Sequence, residues 1–255
     1  QSHAQMVSLQ TSVLPGVQDI QPWKFDKHTH MQLDQSIRAK AWASIVAHWK
    51  ARTHGRVGMN EGSVPRDGLC SMYEFGVFTG GGMRFWQRRA AESGSSMARL
   101  PSCLTNASLF GFDSFEGQPV HDDSHVAARL RSVSGLRQGG LNTADTFGIY
   151  EWHALRRRLI HNICAERSSA PAHARCTAAE RSSIERCHEQ IRLYRGFYNE
   201  SLKGGRAFAV ASGMGPAFLV DVDCNLYEST IEAMNFLLAA RILVPGTYVY
   251  FDDID

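Results

Sequence analysis

Apolar residues near the start of the chain recur with the period of a helix. Over residues 31–50 they are spaced three and four positions apart, which places them on one face of an amphipathic helix. They are Leu33, Ile37, Ala41, Trp42, Ile45 and Val46. Before this helix we predict an irregular lead-in over residues 1–30. After it, residues 52–68 are rich in glycine, proline and polar residues, which predicts a loop.

The rest of the chain alternates short apolar runs with helical segments. We predict strands over residues 70–78, 108–113, 191–196, 218–223 and 247–251, the last of which is rich in β-branched and aromatic residues. We predict one helix over residues 83–92. Another runs from Ser229 to about Ala240, with Ser229 and Glu232 as a capping box. This alternation predicts an α/β fold with a mostly parallel sheet and helices on both faces.

One connection departs from this alternation. Residues 165–190 are dominated by Ala, Arg, Ser, Glu and Cys, a composition that suits an exposed, partly helical insertion. The spacing of Cys176, Cys187 and His188 within it matches no zinc pattern. The chain starts without Met and stops directly after the last strand-like run, so we expect a fragment.

Composition and charge argue against several classes of function. The formal net charge of +2 offers no electrostatic reason to expect a nucleic-acid partner. The apolar runs are far shorter than the roughly 20 residues of a membrane span, so we expect a cytoplasmic protein without membrane contact. A chain of this length forms a core without disulfides, and we expect reduced thiols. We interpret the sequons at Asn106 and Asn199 as chance occurrences, because no signal peptide precedes them.

A glycine-rich turn follows the first predicted strand, in the segment Tyr73-Glu-Phe-Gly-Val-Phe-Thr-Gly-Gly-Gly. Glycines permit positive φ and the close approach of a ligand, while the next helix offers unpaired N–H groups. The candidate cofactor-binding residues of the turn are Gly76, Thr79, Gly80 and Gly82. The alternative is a turn that only packs.

The charge of this turn selects the kind of cofactor. Glu74 stands two residues before the first glycine, where a carboxylate would repel a pyrophosphate and would accept from an ammonium group. The turn also lacks the Gly-x-Gly-x-x-Gly order of dinucleotide sites, which argues against a nicotinamide-dependent dehydrogenase. S-adenosylmethionine, with its amino-acid moiety, therefore fits better than NAD.

An acidic residue ends the second predicted strand, in the segment Phe110-Gly-Phe-Asp-Ser-Phe-Glu-Gly. At the carboxyl end of a strand, Asp113 can accept from both ribose hydroxyls of an adenosine group. Ser114 belongs to the same candidate cofactor site. Phe115 either lies against the adenine ring or plugs the core, and the residues leave both interpretations open.

Three carboxylates end the fourth and fifth predicted strands. Asp223 follows one strand, and Asp252 and Asp253 follow the other. Because the carboxyl ends of neighbouring parallel strands meet in one crevice, these side chains are expected to converge. Clustered carboxylates need a cation, and hard oxygen ligands favour magnesium, manganese or calcium. The alternative is that Asp252 and Asp253 cap the next loop.

Together these segments resemble the macrocin O-methyltransferase family, whose members methylate sugar hydroxyls of natural products. The matching segments are Glu74-Phe-Gly-Val-Phe, Gly111-Phe-Asp-Ser-Phe-Glu-Gly, Arg195-Gly-Phe-Tyr-Asn-Glu-Ser-Leu, Asp223-Cys-Asn-Leu-Tyr-Glu-Ser-Thr, Val244-Pro-Gly-Thr and Phe251-Asp-Asp. The resemblance implies a Rossmann-like class I methyltransferase domain over residues 31–255, with S-adenosylmethionine as methyl donor. It also implies a magnesium ion held by Asp223, Asp252 and Asp253.

The resemblance further implies the course of the reaction. The metal would bind a hydroxyl of a sugar or other small molecule, lower its pKa and aim its oxygen at the methyl group. Family members usually carry a second acid two residues after the first, as a candidate general base, where this chain has Asn225. An amide accepts no proton at neutral pH, so a non-catalytic relative that binds the cofactor or a partner is the alternative function. Aligning on Asp221 and Asp223 restores the pair of acids but puts Tyr227 out of step.

Class I methyltransferases complete their sheet with a sixth and a seventh strand, so the resemblance implies a chain truncated after the fifth. The acceptor pocket would involve loops such as residues 118–141 and 165–190. We leave the acceptor itself and a homo-oligomer open.

Overall fold

The structure of this chain is a computed structural model, and it describes residues 27–54, 69–92, 100–117, 141–164 and 178–252. The helices are α1 (Lys27–His54), α2 (Gly81–Glu92), α3 (Thr143–Phe147), α4 (Trp152–Cys164), α5 (Ala178–Gln190), α6 (Tyr198–Ser201), α7 (Gly205–Ala211) and α8 (Tyr227–Ala239), with a 3-10 helix at Ser102–Asn106. The strands are β1 (Ser71–Phe75), β2 (Ser108–Asp113), β3 (Ile191–Arg195), β4 (Ala217–Val222) and β5 (Tyr248–Phe251).

The strands form one parallel sheet in the order β3-β2-β1-β4-β5. Parallel neighbours need long crossover connections, which the helices between the strands supply. The chain runs outward from β1 through β2 to β3, then returns to the other side of β1 for β4 and β5. This confirms the predicted Rossmann-like α/β fold and places a switch of strand order beside β1.

Helices cover both faces of the sheet, and each face has its own hydrophobic core. Successive residues of β1 point to opposite faces, so Met72 and Tyr73 belong to different cores. The core around Met72 is closed by α1, α2, α4 and α5. The core around Tyr73 is closed by α7 and α8, and there Phe75 and Phe112 stack with ring centroids 4.8 Å apart.

The first helix is longer than predicted, and its buried face is rotated. It already begins at Lys27, inside the predicted lead-in. Ile37, which was predicted to be buried, is 43% exposed, whereas Arg38 is 1% exposed. The buried stripe continues from Arg38 through Trp42, Ile45 and Trp49. The helix therefore turns a cation toward the sheet in place of an apolar residue.

Two predicted boundaries were wrong for local reasons. β1 ends at Phe75, three residues before the predicted end, because Gly76 has a φ of +97° and turns the backbone out of the strand. Helix α8 begins at Tyr227, with Leu226 at its N-cap and no side-chain hydrogen bond there. Ser229 consequently lies inside the helix, and the predicted capping box does not form.

The expectation of reduced thiols was also wrong. Cys70 and Cys103 form a disulfide that ties the start of β1 to the 3-10 helix. Cys164 and Cys187 form a second disulfide, between the end of α4 and the last turn of α5. The second bond closes the base of the 165–190 connection, of which residues 165–177 lie outside the described part.

Helix α5 exposes most of its described side chains, while Ile184 and Cys187 pack toward the core. Within the described ranges, no helix is long and apolar enough to cross a membrane.

Candidate active site

The carboxyl ends of β1, β2 and β4 meet at the point where the strand order switches. In open parallel sheets this edge is the usual place for a ligand. The glycine turn follows β1 here, Asp113 ends β2, and Asp223 follows β4. The fold thus brings together the two predicted cofactor segments and the first of the three predicted metal ligands.

Gly76 joins the glycine turn to the end of β4. A side-chain carbon at Gly76 would lie 1.9 Å from the carbonyl oxygen of Asp223. Backbone bonds lock the same junction, since the Asp223 N–H donates to the Phe75 carbonyl at 2.9 Å and the Gly76 N–H donates to the Phe112 carbonyl at 2.9 Å. Only glycine fits this position, both in space and in φ.

The middle of the turn packs against α4. Gly80 has a φ of +82°, and a side-chain carbon there would lie 2.5 Å from Cγ1 of Ile163. The Thr79 carbonyl accepts from the Asn162 side-chain amide at 2.6 Å. Thr79 and Gly80 therefore hold the turn against α4, and their place in a cofactor site stays a prediction.

Glu74 and Gly82 lie at the base of α2. Glu74 is 3% exposed, and a side-chain carbon at Gly82 would lie 2.8 Å from both of its carboxylate oxygens. The acid thus faces the first turn of a helix, where the helix dipole favours negative charge. The neighbouring Gly81 is exposed and has open space around its missing side chain. These residues form a cradle of small groups above a buried carboxylate, which fits an amino-acid moiety with its ammonium group.

Asp113 connects the two cofactor segments. One carboxylate oxygen accepts the Phe78 N–H at 2.8 Å, and the other accepts the Phe115 N–H at 2.7 Å. Burial raises the pKa of Asp113 above its ordinary value, and these two N–H bonds act in the opposite direction. Hydrogen bonds from the Ser114 side chain and the Val77 backbone also lower the pKa of Asp113, so several donors surround this carboxylate.

Ser114 and Phe115 are held within their own turn. The Ser114 hydroxyl donates to the Gly117 carbonyl at 2.8 Å and accepts the Glu116 N–H at 3.2 Å. Phe115 is 1% exposed, and its ring lies 5.2 Å from that of Trp152. Of the two interpretations of Phe115, the hydrophobic plug matches this burial.

The predicted metal ligands are bound by a guanidinium group. Arg38 Nη2 lies 2.9 Å from Asp223 Oδ2 and 3.3 Å from Asp252 Oδ2. Arg38 Nη1 pairs with Asp221 Oδ2, and both of these side chains are buried. Asp253 lies outside the described residues. The sequence predicted the convergence of Asp223 with Asp252 but missed Arg38, and it set Asp221 aside.

Two aromatic side chains complete this cluster, which we call the Arg38 cluster: Arg38, Trp86, Asp221, Asp223, Tyr250 and Asp252. Trp86 Nε1 donates to Asp221 at 2.5 Å, and the Tyr250 hydroxyl donates to Asp252 at 2.6 Å. The guanidinium carbon lies 6.0 Å from the Trp86 ring centre and 5.4 Å from that of Tyr250. Burial and the bond to Asp252 raise the pKa of Tyr250.

The sheet register explains why Asp221 belongs to the Arg38 cluster. Asp221 is the register partner of Glu74 on β1 and of Tyr250 on β5, so the three side chains share one face of the sheet. Helices α1 and α2 cover that face. The one available signal for Arg38 was its position four residues before Trp42, on the helical stripe that continues to Ile45 and Trp49.

The carboxylates do not fit a divalent ion in this arrangement. Arg38 already contacts one oxygen of each described acid, and among the described residues no group of three or more acidic, His or Cys side chains is arranged to hold a metal. Asn225, the other candidate catalytic residue, is exposed. The free thiol of Cys224 is half-buried beside Tyr198, and burial raises its pKa, which disfavours the thiolate form.

Comparisons with known proteins give a distant likeness. No protein-family model and no curated protein matches the chain. A crystal structure of CalS11, a calicheamicin methyltransferase, is 19% identical, with a TM-score of 0.49 over 94% of this chain and 85% of that one. An apo structure of CalS11, a TDP-rhamnose 3'-O-methyltransferase of calicheamicin biosynthesis, is 18% identical, with a TM-score of 0.42 over 90% of this chain and 66% of that one. These values are too low to transfer a residue's role.

Proposed function

We propose that this protein is an S-adenosylmethionine-dependent O-methyltransferase that acts on a hydroxyl group of a sugar or another small molecule. The observation that carries this is the position of Asp113. It bonds the N–H groups of both cofactor segments at the switch of strand order. The resemblance of the same segments to macrocin O-methyltransferases supplies the choice of methyl donor.

Each cofactor-site residue then has a distinct task. Glu74, at the base of α2, accepts from the ammonium group, and Asp113 accepts from the ribose hydroxyls. Gly76, Gly80 and Gly82 keep the turn close to its neighbours, because a side chain at any of them would collide with an adjacent group. The Thr79 carbonyl, the Ser114 hydroxyl and the Phe115 ring hold the two segments in shape.

The bound donor supplies a methyl group on a positively charged sulfur. Transfer of this methyl group to a hydroxyl oxygen would require a residue of the chain to take up the hydroxyl proton. Asp223, whose side chain is 27% exposed, is the partly open carboxylate beside the turn and is the proposed proton acceptor. Asn225 cannot take this role but can orient a hydroxyl by a hydrogen bond.

The described residues do not fit the magnesium ion that the resemblance implies, and no step of the proposed reaction runs through it. The cytoplasmic location stays a prediction. The two disulfides argue against it, because reducing compartments keep most thiols free.

Calorimetric titration of the full chain with S-adenosylhomocysteine tests the cofactor. We expect saturable binding of one ligand per chain. No binding with the ligand at millimolar concentration would overturn the proposed function. A parallel fluorescence titration with NADH tests the dehydrogenase alternative, for which we expect no binding.

A non-catalytic relative that binds the cofactor or a partner is the second candidate, because Arg38 binds the expected catalytic carboxylates and Asn225 replaces an acid. Transfer of a radioactive methyl group to a panel of hydroxylated sugars separates the two. We expect turnover by the native chain and faster turnover by Asn225→Asp. Cofactor binding without turnover in either protein would favour the non-catalytic candidate.

A further inference from the structure

We propose that Arg38 is the resident cation of its cluster and takes the place of a divalent metal ion between the carboxylates. This assigns Arg38 a role that differs from the metal site that the sequence predicted. It shares Asp223 with the proposed function, where this residue is the proposed proton acceptor, but its tests measure metal binding and not methyl transfer.

The contacts of Arg38 match those of a bound cation. Its two terminal nitrogens reach one carboxylate oxygen from each of Asp221, Asp223 and Asp252. A guanidinium group spreads its donors in a fixed plane, which lets one side chain serve several acids at once. The ring faces of Trp86 and Tyr250 add cation–π attraction from the sides.

Burial makes this pairing persistent. Arg38 is 1% exposed and Asp221 is fully buried, so neither charge is solvated by bulk water. Removing the cation from a buried acid strongly destabilises the folded protein. If Arg38 left its position for another ion, both buried charges, on Arg38 and on Asp221, would lose their partner.

The helix that carries Arg38 is anchored on the sheet. Along the same stripe, Trp42 contacts Trp86 with ring centres 6.2 Å apart, and Trp49 contacts Phe218 at 5.6 Å. Ile45, which lies between these two tryptophans in the sequence, is also buried. The guanidinium group therefore extends from a helix that is packed on the sheet. A side chain on the surface would sample many positions instead.

A metal ion and Arg38 exclude one another. Magnesium and calcium lie about 2.0–2.6 Å from their oxygen ligands, which is closer than the Arg38 nitrogens lie to Asp223 and Asp252. An ion at these oxygens would occupy the space of the guanidinium and would repel its charge. With Arg38 in place, Asp223 and Asp252 are held by a positively charged group without a metal.

Manganese binding to the full chain tests this, measured by loss of the free-ion electron paramagnetic resonance signal. We expect no saturable binding by the native protein and none by Arg89→Met, whose arginine lies in an exposed pair with Glu92. We expect Arg38→Met to gain one manganese site, which Asp223→Asn in the same background removes. A folded Arg38→Met protein that binds no manganese would overturn the proposal, because the acids would then not be a cation site.

A measurement on the native protein tests the proposal even if Arg38→Met fails to fold. Its melting temperature is measured in rising manganese chloride, against sodium chloride of equal ionic strength. The proposal requires the two salts to act alike. A saturable rise with manganese that is absent in Asp223→Asn would show that the native acids bind a metal, and the proposal would be wrong.

Discussion

The carboxylates at the carboxyl edge of the sheet are stabilised in two different ways. Asp113 is held by backbone N–H groups of Phe78 and Phe115, 35 and 2 residues away in sequence. Asp221 is held by the side chain of Arg38, which lies 183 residues away. Backbone donors belong to the fold itself and hold Asp113 without a second charged group. A side-chain cation fills the space that a ligand would need. The first arrangement suits a binding site, and the second suits a structural centre in which Asp223 stays partly exposed.

Replacing Arg38, which holds Asp221, should have the largest effect on stability. Arg38→Ala leaves Asp221 buried without its cation, and we expect the free energy of unfolding to fall by about 3–5 kcal/mol. Urea denaturation followed by circular dichroism measures this. Arg89→Ala, which removes an exposed pair, should cost less than about 1 kcal/mol. Similar losses in the two variants would contradict a buried role for Arg38.

Gly76 lies between the Asp113 region and the Arg38 cluster, and its replacement tests how firmly the two regions are joined. Gly76→Ala forces a side-chain carbon against the Asp223 carbonyl at a φ of +97°, and we expect a loss of about 3 kcal/mol. The matched control is Gly81→Ala, where the added carbon meets open space. It should change the unfolding free energy by no more than about 1 kcal/mol. Equal effects would mean that the turn is not locked to β4.

The backbone-held carboxylate of Asp113 is tested by a smaller, local substitution. Asp113→Asn keeps one acceptor for the backbone N–H groups but loses charge and acceptor capacity toward a ribose. We expect affinity for S-adenosylhomocysteine to fall about tenfold, or roughly 1.4 kcal/mol. Glu116→Gln, at an exposed acid three residues later, should leave the affinity unchanged. An unaltered affinity in Asp113→Asn would remove Asp113 from the cofactor site.

The elements that local pattern determines were predictable from the sequence. The β2 strand was predicted with its observed ends, and the glycine turn was placed between β1 and α2. Both depend on residues adjacent in the chain, such as Gly76, whose φ a side chain would oppose. The convergence of Asp223 with Asp252 followed from the parallel order of strands, which is a property of the fold class.

The features that depend on distant partners were missed. Ile37 was assigned to the buried face because apolar residues are usually buried, whereas the carboxylates of β4 and β5 draw Arg38 inward. Cys164 and Cys187 gave no sign of pairing, since their separation of 23 positions leaves the closing geometry to the tertiary fold. In each case, charge or bonding across the fold outweighed the local pattern.

Hydrogen exchange of the full chain, with and without S-adenosylhomocysteine, tests the cofactor site most directly. We predict slower exchange in peptides covering residues 73–82 and 110–117 when the ligand is bound. Peptides of α7, on the opposite face of the sheet, should exchange at the same rate in both samples. Ligand binding that leaves both predicted segments unchanged would contradict the assignment of this edge as the methyl-donor site.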